Sequence, residues 1–324
     1  MDALFPYMLL IVGFFALIKG ADYFVEGSAA IAKRLHIPDI IVGLTIVAFG
    51  TSAPELAVSA TAAIAGSSAL AMGNVVGSNL FNVLVILGIS ALFKPLVVDR
   101  SILRRDMPVL LLSAILLPVA ALIGKGTLPR WSGFVLLALF IGYVALTVRS
   151  ALAFRKEELA KGVNPDADEP LSLEEAPSIL QSLLFTLGGA ILIVCAAEAS
   201  VHGATEIARQ LGISESVIGL TVVAFGTSLP ELVTSIVAAR KGNNEIAIGN
   251  VVGSNIFNVL LILGTAVAIR PAPVDLYTFI DQLVMVGMSG YFMITLLTGK
   301  RISRGEGLSF LALYAGYTAY LFVR

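Results

Sequence analysis

Residues 43–64 read GLTIVAFGTSAPELAVSATAAI, a stretch of apolar and small residues long enough to cross a bilayer. Pro54 and Glu55 interrupt it near its middle. Because an acid inside a spanning segment is costly, its presence there indicates a function rather than a contribution to stability. The arrangement recurs at residues 219–239, GLTVVAFGTSLPELVTSIVAA, where Glu231 again follows a proline.

The amino-acid composition is that of a membrane protein. Of 324 residues, 57% are hydrophobic and only 13% are charged, whereas ordinary soluble proteins carry about 25% charged residues. The net charge of −1 and the lack of a basic tract argue against nucleic acid as a partner. Cys195 is the only cysteine, which excludes an internal disulfide and a thiolate metal cluster. Its apolar surroundings predict a small core residue.

Ten apolar runs have the length of membrane spans. They lie at about 3–27, 39–65, 69–93, 105–123, 130–149, 179–203, 215–239, 245–269, 279–298 and 307–323. Residues 155–177, a charged stretch with prolines and no apolar period, separate the fifth run from the sixth and predict a linker. We therefore expect an all-α polytopic membrane protein with ten transmembrane helices, five in residues 1–154 and five in residues 178–324.

The two halves are copies of each other. They align without a gap at a constant offset of 176 residues, and between Gly43 and Gly88 about two-thirds of the positions are identical to their partners. With five spans in each copy, the second copy enters the membrane from the opposite side. The sequence therefore predicts two inverted five-helix repeats with broken helices at the midplane, an organisation typical of transporters that bind substrate where the repeats meet.

Basic residues predict the orientation. Under ten spans, the loops of one side hold Lys33, Arg34, Lys94, Arg100, Arg104, Arg105, Arg149, Arg155, Lys156, Lys161, Arg240, Lys241, Lys300, Arg301 and Arg304. The other side holds only Lys125, Arg130, Arg209, Arg270 and Arg324. Because cytoplasmic loops are enriched in Lys and Arg, we expect a multi-pass protein of the cell membrane with a cytoplasmic linker and both termini external.

The prolines predict helix breaks beside the two acids. Pro54 has no N–H, so the carbonyl of Gly50 loses its helical partner. Free carbonyls inside a membrane are tolerated where they line a cavity or are buried in protein. Hydroxyls share the helix face of each acid at four-residue spacing, which gives the sets Thr51, Glu55, Ser59 and Thr227, Glu231, Ser235.

The following span of each copy carries a second polar stripe. Its members, again four residues apart, are Asn74, Ser78, Asn82 and Asn250, Ser254, Asn258. Small-xxx-small patterns at Gly73, Gly77 and at Gly249, Gly253 predict close helix approach. The candidate site thus offers oxygen ligands and two carboxylates but no His or Cys. Such a ligand set favours hard cations such as Na⁺ and Ca²⁺ over zinc or copper.

The motifs GTSAPE with GNVVGSNLFN, and GTSLPE with GNVVGSNIFN, resemble the paired alpha-repeats of the cation/calcium exchanger superfamily. The likeness is greatest to the prokaryotic sodium/calcium exchangers, with the alpha motifs at residues 43–88 and 219–264. It implies an antiporter, not an enzyme, in which Na⁺ influx drives Ca²⁺ extrusion by alternating access through four clustered cation sites. We expect no cofactor beyond these transported ions.

The resemblance also implies roles for individual residues. The carboxylates of Glu55 and Glu231 would be shared at the Ca²⁺ site, together with the backbone carbonyls of Thr51 and Thr227. Na⁺ would be held by the carbonyls of Ala48 and Ala224 and by the hydroxyls of Ser52, Ser78, Ser228 and Ser254. Asn82 and Asn258 would flank the middle site. Some relatives carry an aspartate in place of Asn258, and the amide here predicts K⁺-independent transport.

Other functions fit the residues less well. An intramembrane hydrolase could use Ser52 or Ser228 as nucleophile, but neither motif contains a His or Lys to act as base. A channel is disfavoured because inverted repeats suit exchange between two faces. An H⁺/Ca²⁺ antiporter stays as the alternative, since a buried carboxylate can bind a proton. The expected partners are Ca²⁺, Na⁺ and the lipid bilayer.

Two pairs of polar residues lie near the ends of the first and sixth spans. Asp22 corresponds to Glu198 in the second copy, and Glu26 corresponds to His202. We interpret them as interfacial anchors, with a role in gating as the alternative.

Overall fold

The computed structural model describes residues 4–98, 101–160, 178–212, 224–299 and 301–323. Within these ranges the chain is almost entirely helical. The helices of the first half are α1 (Phe5–Leu35), α2 (Asp39–Thr51), α3 (Ala53–Ile64), α4 (Ser68–Phe93), α5 (Ile102–Ile123) and α6 (Arg130–Ala160). Those of the second half are α7 (Ile179–Gln210), α8 (Ala224–Thr227), α9 (Leu229–Lys241), α10 (Asn244–Ile269), α11 (Leu276–Gly299) and α12 (Arg304–Val323).

Seven of the described helices are long and apolar enough to cross a membrane, or eight if α2 and α3 count as one broken span. The seven are α1, α4, α5, α6, α7, α10 and α11. This confirms a polytopic all-α membrane protein. The predicted span at 215–239 falls partly on residues 213–223, which lie outside the described residues.

Both predicted helix breaks are present. Helix α2 ends at Thr51 and α3 starts at Ala53, and the two axes differ by 49°. Helix α8 ends at Thr227, and α9 starts at Leu229. In each case the proline stands in the first turn of the new helix. N–H groups of a first turn have no acceptor within the helix, so the proline costs no hydrogen bond there.

Within the described ranges, four π-helical turns interrupt the α-helices, and the sequence did not predict them. They span Gly43–Val47, Asn82–Ile86, Ile102–Asp106 and Asn258–Leu263. Two of these turns begin at Asn82 and Asn258, so the candidate site residues mark the points where α4 and α10 change their hydrogen-bond register. Such turns are frequent at functional sites.

Helix α1 packs lengthwise against α7 through glycines. A Cβ atom on Gly27 would lie 2.6 Å from the backbone nitrogen of Thr186, and one on Gly189 would lie 2.6 Å from the nitrogen of Phe24. Both distances are far shorter than normal contacts, so only glycine permits this approach. Helices α1 and α7, among the longest of the described structure, therefore form one tightly packed pair.

Helix α10 packs just as closely against α2. A Cβ on Gly249 would lie 3.0 Å from the Cα of Gly43, and one on Gly253 would lie 2.7 Å from the Cβ of Ala48. This confirms the predicted close approach for the second copy. For Gly73 and Gly77, the equivalent approach would involve residues 219–224, most of which lie outside the described structure.

Two short antiparallel strand pairs join the halves, and the sequence analysis missed both. Strand β1 (Leu96–Val97) pairs with β4 (Arg301–Ile302), and β2 (Thr127–Leu128) pairs with β3 (Ala272–Pro273). Each pair links a loop of one copy to a loop of the other.

Two details differ from expectation. Helix α6 continues to Ala160, so the predicted linker begins with helical residues, and residues 161–177 lie outside the described structure. Cys195 is exposed, so the predicted core position is wrong. Its apolar neighbours in sequence belong to a helix that is apolar on its outer face too, as a surface in contact with lipid requires.

Candidate functional site

The two helix breaks meet inside the molecule. The hydroxyl of Ser52, between α2 and α3, donates to Oε1 of Glu231 at 2.8 Å. The hydroxyl of Ser228, between α8 and α9, donates to Oε1 of Glu55 at 3.4 Å. Each break thus supplies a serine to the glutamate of the other copy, and this crossed pairing brings both carboxylates into one site.

Both carboxylates are buried, and each has an oxygen without a partner. Glu55 and Glu231 are each 1% exposed. Their Oε2 atoms accept no hydrogen bond, and the described residues provide neither acid with an ion-pair partner. A buried carboxylate is stable only when it is protonated or balanced by a cation. The site therefore has the capacity to bind positive charge.

Serines of the next helices extend the oxygen cluster. Oγ of Ser52 also lies 3.0 Å from Oγ of Ser254 on α10, and Oγ of Ser228 lies 3.2 Å from Oγ of Ser78 on α4, so each can accept from the neighbouring hydroxyl. All four hydroxyls are buried. The structure thus brings together the predicted serines and glutamates of both copies.

In each half, an asparagine connects the threonine at one helix break to a serine on the helix that follows the other break. Thr51 donates to Oδ1 of Asn250 at 3.0 Å, and the amide nitrogen of Asn250 donates to Oγ of Ser235 at 2.9 Å. In the other half, Thr227 lies 3.5 Å from Oδ1 of Asn74. That Asn74 in turn donates to Ser59 at 3.0 Å.

The two bridges differ in burial. Thr51 and Asn250 are buried, whereas Thr227 and Asn74 are only half-buried. The longer hydrogen bond belongs to the half-buried bridge. Among the described residues, the Thr51–Asn250 bridge is therefore more enclosed than the Thr227–Asn74 bridge.

Four asparagines lie between α4 and α10 at the site. Asn82 donates to Oδ1 of Asn255 at 3.0 Å, and Asn258 donates to Oδ1 of Asn79 at 2.9 Å. Asn79 and Asn255 each donate to the other's backbone carbonyl, at 3.2 and 3.3 Å. The latter two were not among the predicted ligands, and their symmetric bonds support a role in holding the helices together.

Two side-chain amide oxygens of this asparagine cluster have no hydrogen-bond partner. Oδ1 of Asn82 and Oδ1 of Asn258 are buried and accept no hydrogen bond, like Oε2 of Glu55 and Glu231. These four acceptors occupy equivalent positions in the two copies. A cation is the ligand that satisfies several acceptors at once without supplying a donor to each.

The two alanines of the predicted set contribute backbone only. The carbonyl of Ala48 is buried and accepts from the backbone N–H of Ser52 at 3.0 Å. Ala224 begins α8, and its side chain lies outside the described part of the chain. Among the described residues no group of three or more His, Cys, Asp or Glu is present, so the acceptors are largely uncharged oxygens.

Fold and site together define a multi-pass membrane protein with a buried cluster of oxygen acceptors around two carboxylates. The family profile described as sodium/calcium exchanger protein matches residues 5–149 and 181–323. The chain is 36% identical to sodium/calcium exchanger MaX1 of Methanosarcina acetivorans, over 98% of either chain. It is 37% identical to a putative antiporter, CaxA, of Alkalimonas amylolytica, over 97% of this chain and 98% of the relative.

A solved structure has the same fold. It is that of the sodium-calcium exchanger NCX_Mj soaked without Na⁺ and Ca²⁺, which superposes with a TM-score of 0.84 at 34% identity. The superposition covers 98% of this chain and 99% of the other. The chain belongs to the sodium/calcium exchanger protein family, which confirms the resemblance seen in its motifs. Members of this family are cation antiporters rather than enzymes.

Proposed function

We propose that this chain exchanges Na⁺ for Ca²⁺ across the membrane by alternating access. The observation that carries the proposal is the pair of buried glutamates, each with an unpartnered oxygen, in the cage of hydroxyl and amide oxygens. One Ca²⁺ neutralises both carboxylates. Hydroxyls and carbonyls are ligands that Na⁺ uses and a proton does not need, which favours Na⁺ as the counter-transported ion.

The exchange is competitive. Glu55 and Glu231 bind Ca²⁺ with the carbonyls of Thr51 and Thr227, and Na⁺ ions occupy overlapping sites that use the same carboxylates. The Na⁺ ligands are the carbonyls of Ala48 and Ala224 and the hydroxyls of Ser52, Ser78, Ser228 and Ser254. Asn82 and Asn258 flank the middle of the cluster. Because the two cations share ligands, binding of one displaces the other.

The whole chain is organised as ten spans in two inverted repeats, residues 1–154 and 178–324. The constant offset of 176 residues supports this, as does the crossed pairing of the breaks. Inverted repeats allow the two halves to exchange conformations, so that the site faces one side and then the other. The linker at 155–177 is cytoplasmic, and both termini are external.

Transport is independent of K⁺. The two positions that flank the middle of the cluster, Asn82 and Asn258, are both amides. An amide offers an oxygen but no charge. A large monovalent cation bound beside Ca²⁺ would lack a counter-ion there.

The test is Ca²⁺ flux in proteoliposomes with Na⁺ and pH gradients imposed separately and with K⁺ replaced by choline. We expect the Na⁺ gradient alone to drive Ca²⁺ uptake at an undiminished rate without K⁺. Uptake driven only by the pH gradient would instead establish H⁺/Ca²⁺ antiport. A rate that collapses without K⁺ and recovers on its addition would contradict the charge argument at Asn258.

A further inference from the structure

Lys241 links the second repeat to the first at one end of the molecule. It ends α9, and its Nζ lies 3.3 Å from Oδ1 of Asp22 and 3.8 Å from Oε2 of Glu26, both on α1. The same nitrogen donates to the backbone carbonyl of Asp22 at 3.1 Å. One cation therefore bonds three oxygens of a neighbouring helix.

The other repeat lacks this connection. At the constant offset of 176 residues, Lys241 corresponds to Ala65, at the end of α3. Asp22 corresponds to Glu198, and Glu26 corresponds to His202 on α7. Within the described structure neither Glu198 nor His202 forms an ion pair. The second copy thus keeps an acid at the position of Asp22, namely Glu198, but the first copy has no basic residue at the position of Lys241 to pair with it.

Helix packing has the same asymmetry. Helix α1 packs along α9, whereas among the described residues the equivalent helices α7 and α3 scarcely touch. The Thr51–Asn250 bridge is buried and the Thr227–Asn74 bridge is half-buried, so the described residues of the two bridges differ in the same sense. The described packing is therefore asymmetric between the two copies, and the Lys241 contact lies where α1 packs along α9.

We propose that Lys241, Asp22 and Glu26 form a latch that stabilises this conformation selectively. The inference rests on the proposed alternating access of inverted repeats. In the opposite conformation the halves exchange packing, so α7 would lie along α3 and α1 would separate from α9. The end of α3 carries Ala65, which has no charge, so the latch has no counterpart. An interaction present in one state only shifts the equilibrium toward that state.

Lys19 provides a matched control. Its Nζ lies 3.9 Å from Oδ2 of Asp22, one turn away on the same helix. The substitution Lys19→Met removes a cation from the same carboxylate without separating two helices. Lys241→Met removes the contact between helices and keeps an apolar side chain of similar length. A difference between the two variants therefore isolates the latch from simple loss of charge.

The experiment measures the distance between spin labels at Ile64 and Leu211 in a Cys195→Ala background. Both are exposed; Ile64 is the last residue of α3, and Leu211 directly follows α7. Lys241→Met should raise the ratio of the short-distance to the long-distance population roughly two- to fivefold, the range expected for partly exposed ion pairs. Lys19→Met should leave the ratio unchanged. Equal distributions for both variants and the wild type would overturn the latch.

Two further measurements do not depend on removing a contact. Raising ionic strength from about 0.05 M to about 1 M should reproduce the Lys241→Met shift in the wild type and have no effect in the variant. Ala65→Lys with His202→Glu should install the mirror contact and increase the short-distance population. No response to either would overturn the proposal. Shifts in a chain that fails to exchange Ca²⁺ would overturn the proposed function and leave the latch standing.

Discussion

Glu55 and Glu231 each keep one carboxylate oxygen without a hydrogen-bond partner in a buried site. The serines of the opposite break satisfy the other oxygen. Each acid is thus held through one oxygen and keeps the other oxygen as a free acceptor. At the scale of the residue, these acids are positioned yet not saturated, as the proposed cation site requires.

Replacing either acid by its amide should abolish Ca²⁺ transport. Glu55→Gln or Glu231→Gln leaves a dication with one counter-charge in a buried site, a loss of about 3 kcal/mol or more. The measurement is Na⁺-driven Ca²⁺ uptake in proteoliposomes with matched protein content. Glu206→Gln, which neutralises a half-buried acid on α7 that pairs with Arg209 and lies apart from the site, should retain uptake. Near-normal uptake by a folded Glu55→Gln protein would contradict the site assignment.

The two asparagine bridges should differ in importance. Asn250→Ala removes the acceptor of Thr51 and the donor to Ser235 in a buried place, which should cost about 1–3 kcal/mol. We expect the apparent KM for Ca²⁺ to rise about tenfold or more. Asn74→Ala should have a smaller effect because its bond from Thr227 is longer and the residue is half-buried. A larger rise in KM for Asn74→Ala would show that burial does not determine the contribution of the bridges.

At the scale of the element, the helix breaks could be predicted from the sequence and the crossing between them could not. A proline without N–H identifies the break at Pro54 from one residue. That Ser52 bonds Glu231 rather than Glu55 depends on how two distant segments pack, which no local pattern encodes. The π turn at Asn82–Ile86 was missed because it differs from an α-helix by one inserted residue and keeps similar composition. The two-residue strands are too short to give an alternating pattern.

Close packing between α10 and α2 gives a stability prediction. A Cβ at Gly253 would lie 2.7 Å from the Cβ of Ala48 and 2.8 Å from the carbonyl of Leu44. Gly253→Ala should therefore destabilise the protein by about 1–3 kcal/mol through overpacking. The measurement is the Tm of the detergent-solubilised protein, which should fall.

Gly316→Ala on α12 is the control for this substitution. A Cβ at that position would meet no described atom within 4 Å. Alanine also favours the helix over glycine, so the Tm should stay the same or rise. An equal fall in Tm for both variants would show that loss of glycine itself, rather than the contact with α2, causes the destabilisation.

At the scale of the whole molecule, the duplication explains why the site contains each ligand twice. The constant offset of 176 residues could be read from the sequence, and with it the equivalence of Glu55 and Glu231. What the sequence could not reveal is that the two copies differ in packing, with α1 along α9 and α7 apart from α3. Similar motifs thus have different surroundings, which the alternating access proposed above would explain as one of two conformations.

The orientation of the chain can be tested directly. Cysteines at Asp2 and Asp166, in a Cys195→Ala background, should react with an impermeant maleimide from opposite sides of the membrane. The reason is the threefold excess of basic residues in the loops that we place in the cytoplasm. Labelling of both positions from the same side would exclude ten spans in two inverted repeats.

The central claim, that one site holds either Ca²⁺ or Na⁺, is tested most directly by binding of radioactive Ca²⁺ to the purified protein. Equilibrium dialysis against increasing NaCl, with choline chloride at equal ionic strength as control, separates competition from screening. We predict that Na⁺ displaces Ca²⁺ with a steeper than hyperbolic dependence and that choline does not. A doubly substituted protein, Glu55→Gln with Glu231→Gln, should bind no Ca²⁺. Bound Ca²⁺ that is indifferent to Na⁺, or that persists in the doubly substituted protein, would contradict the account.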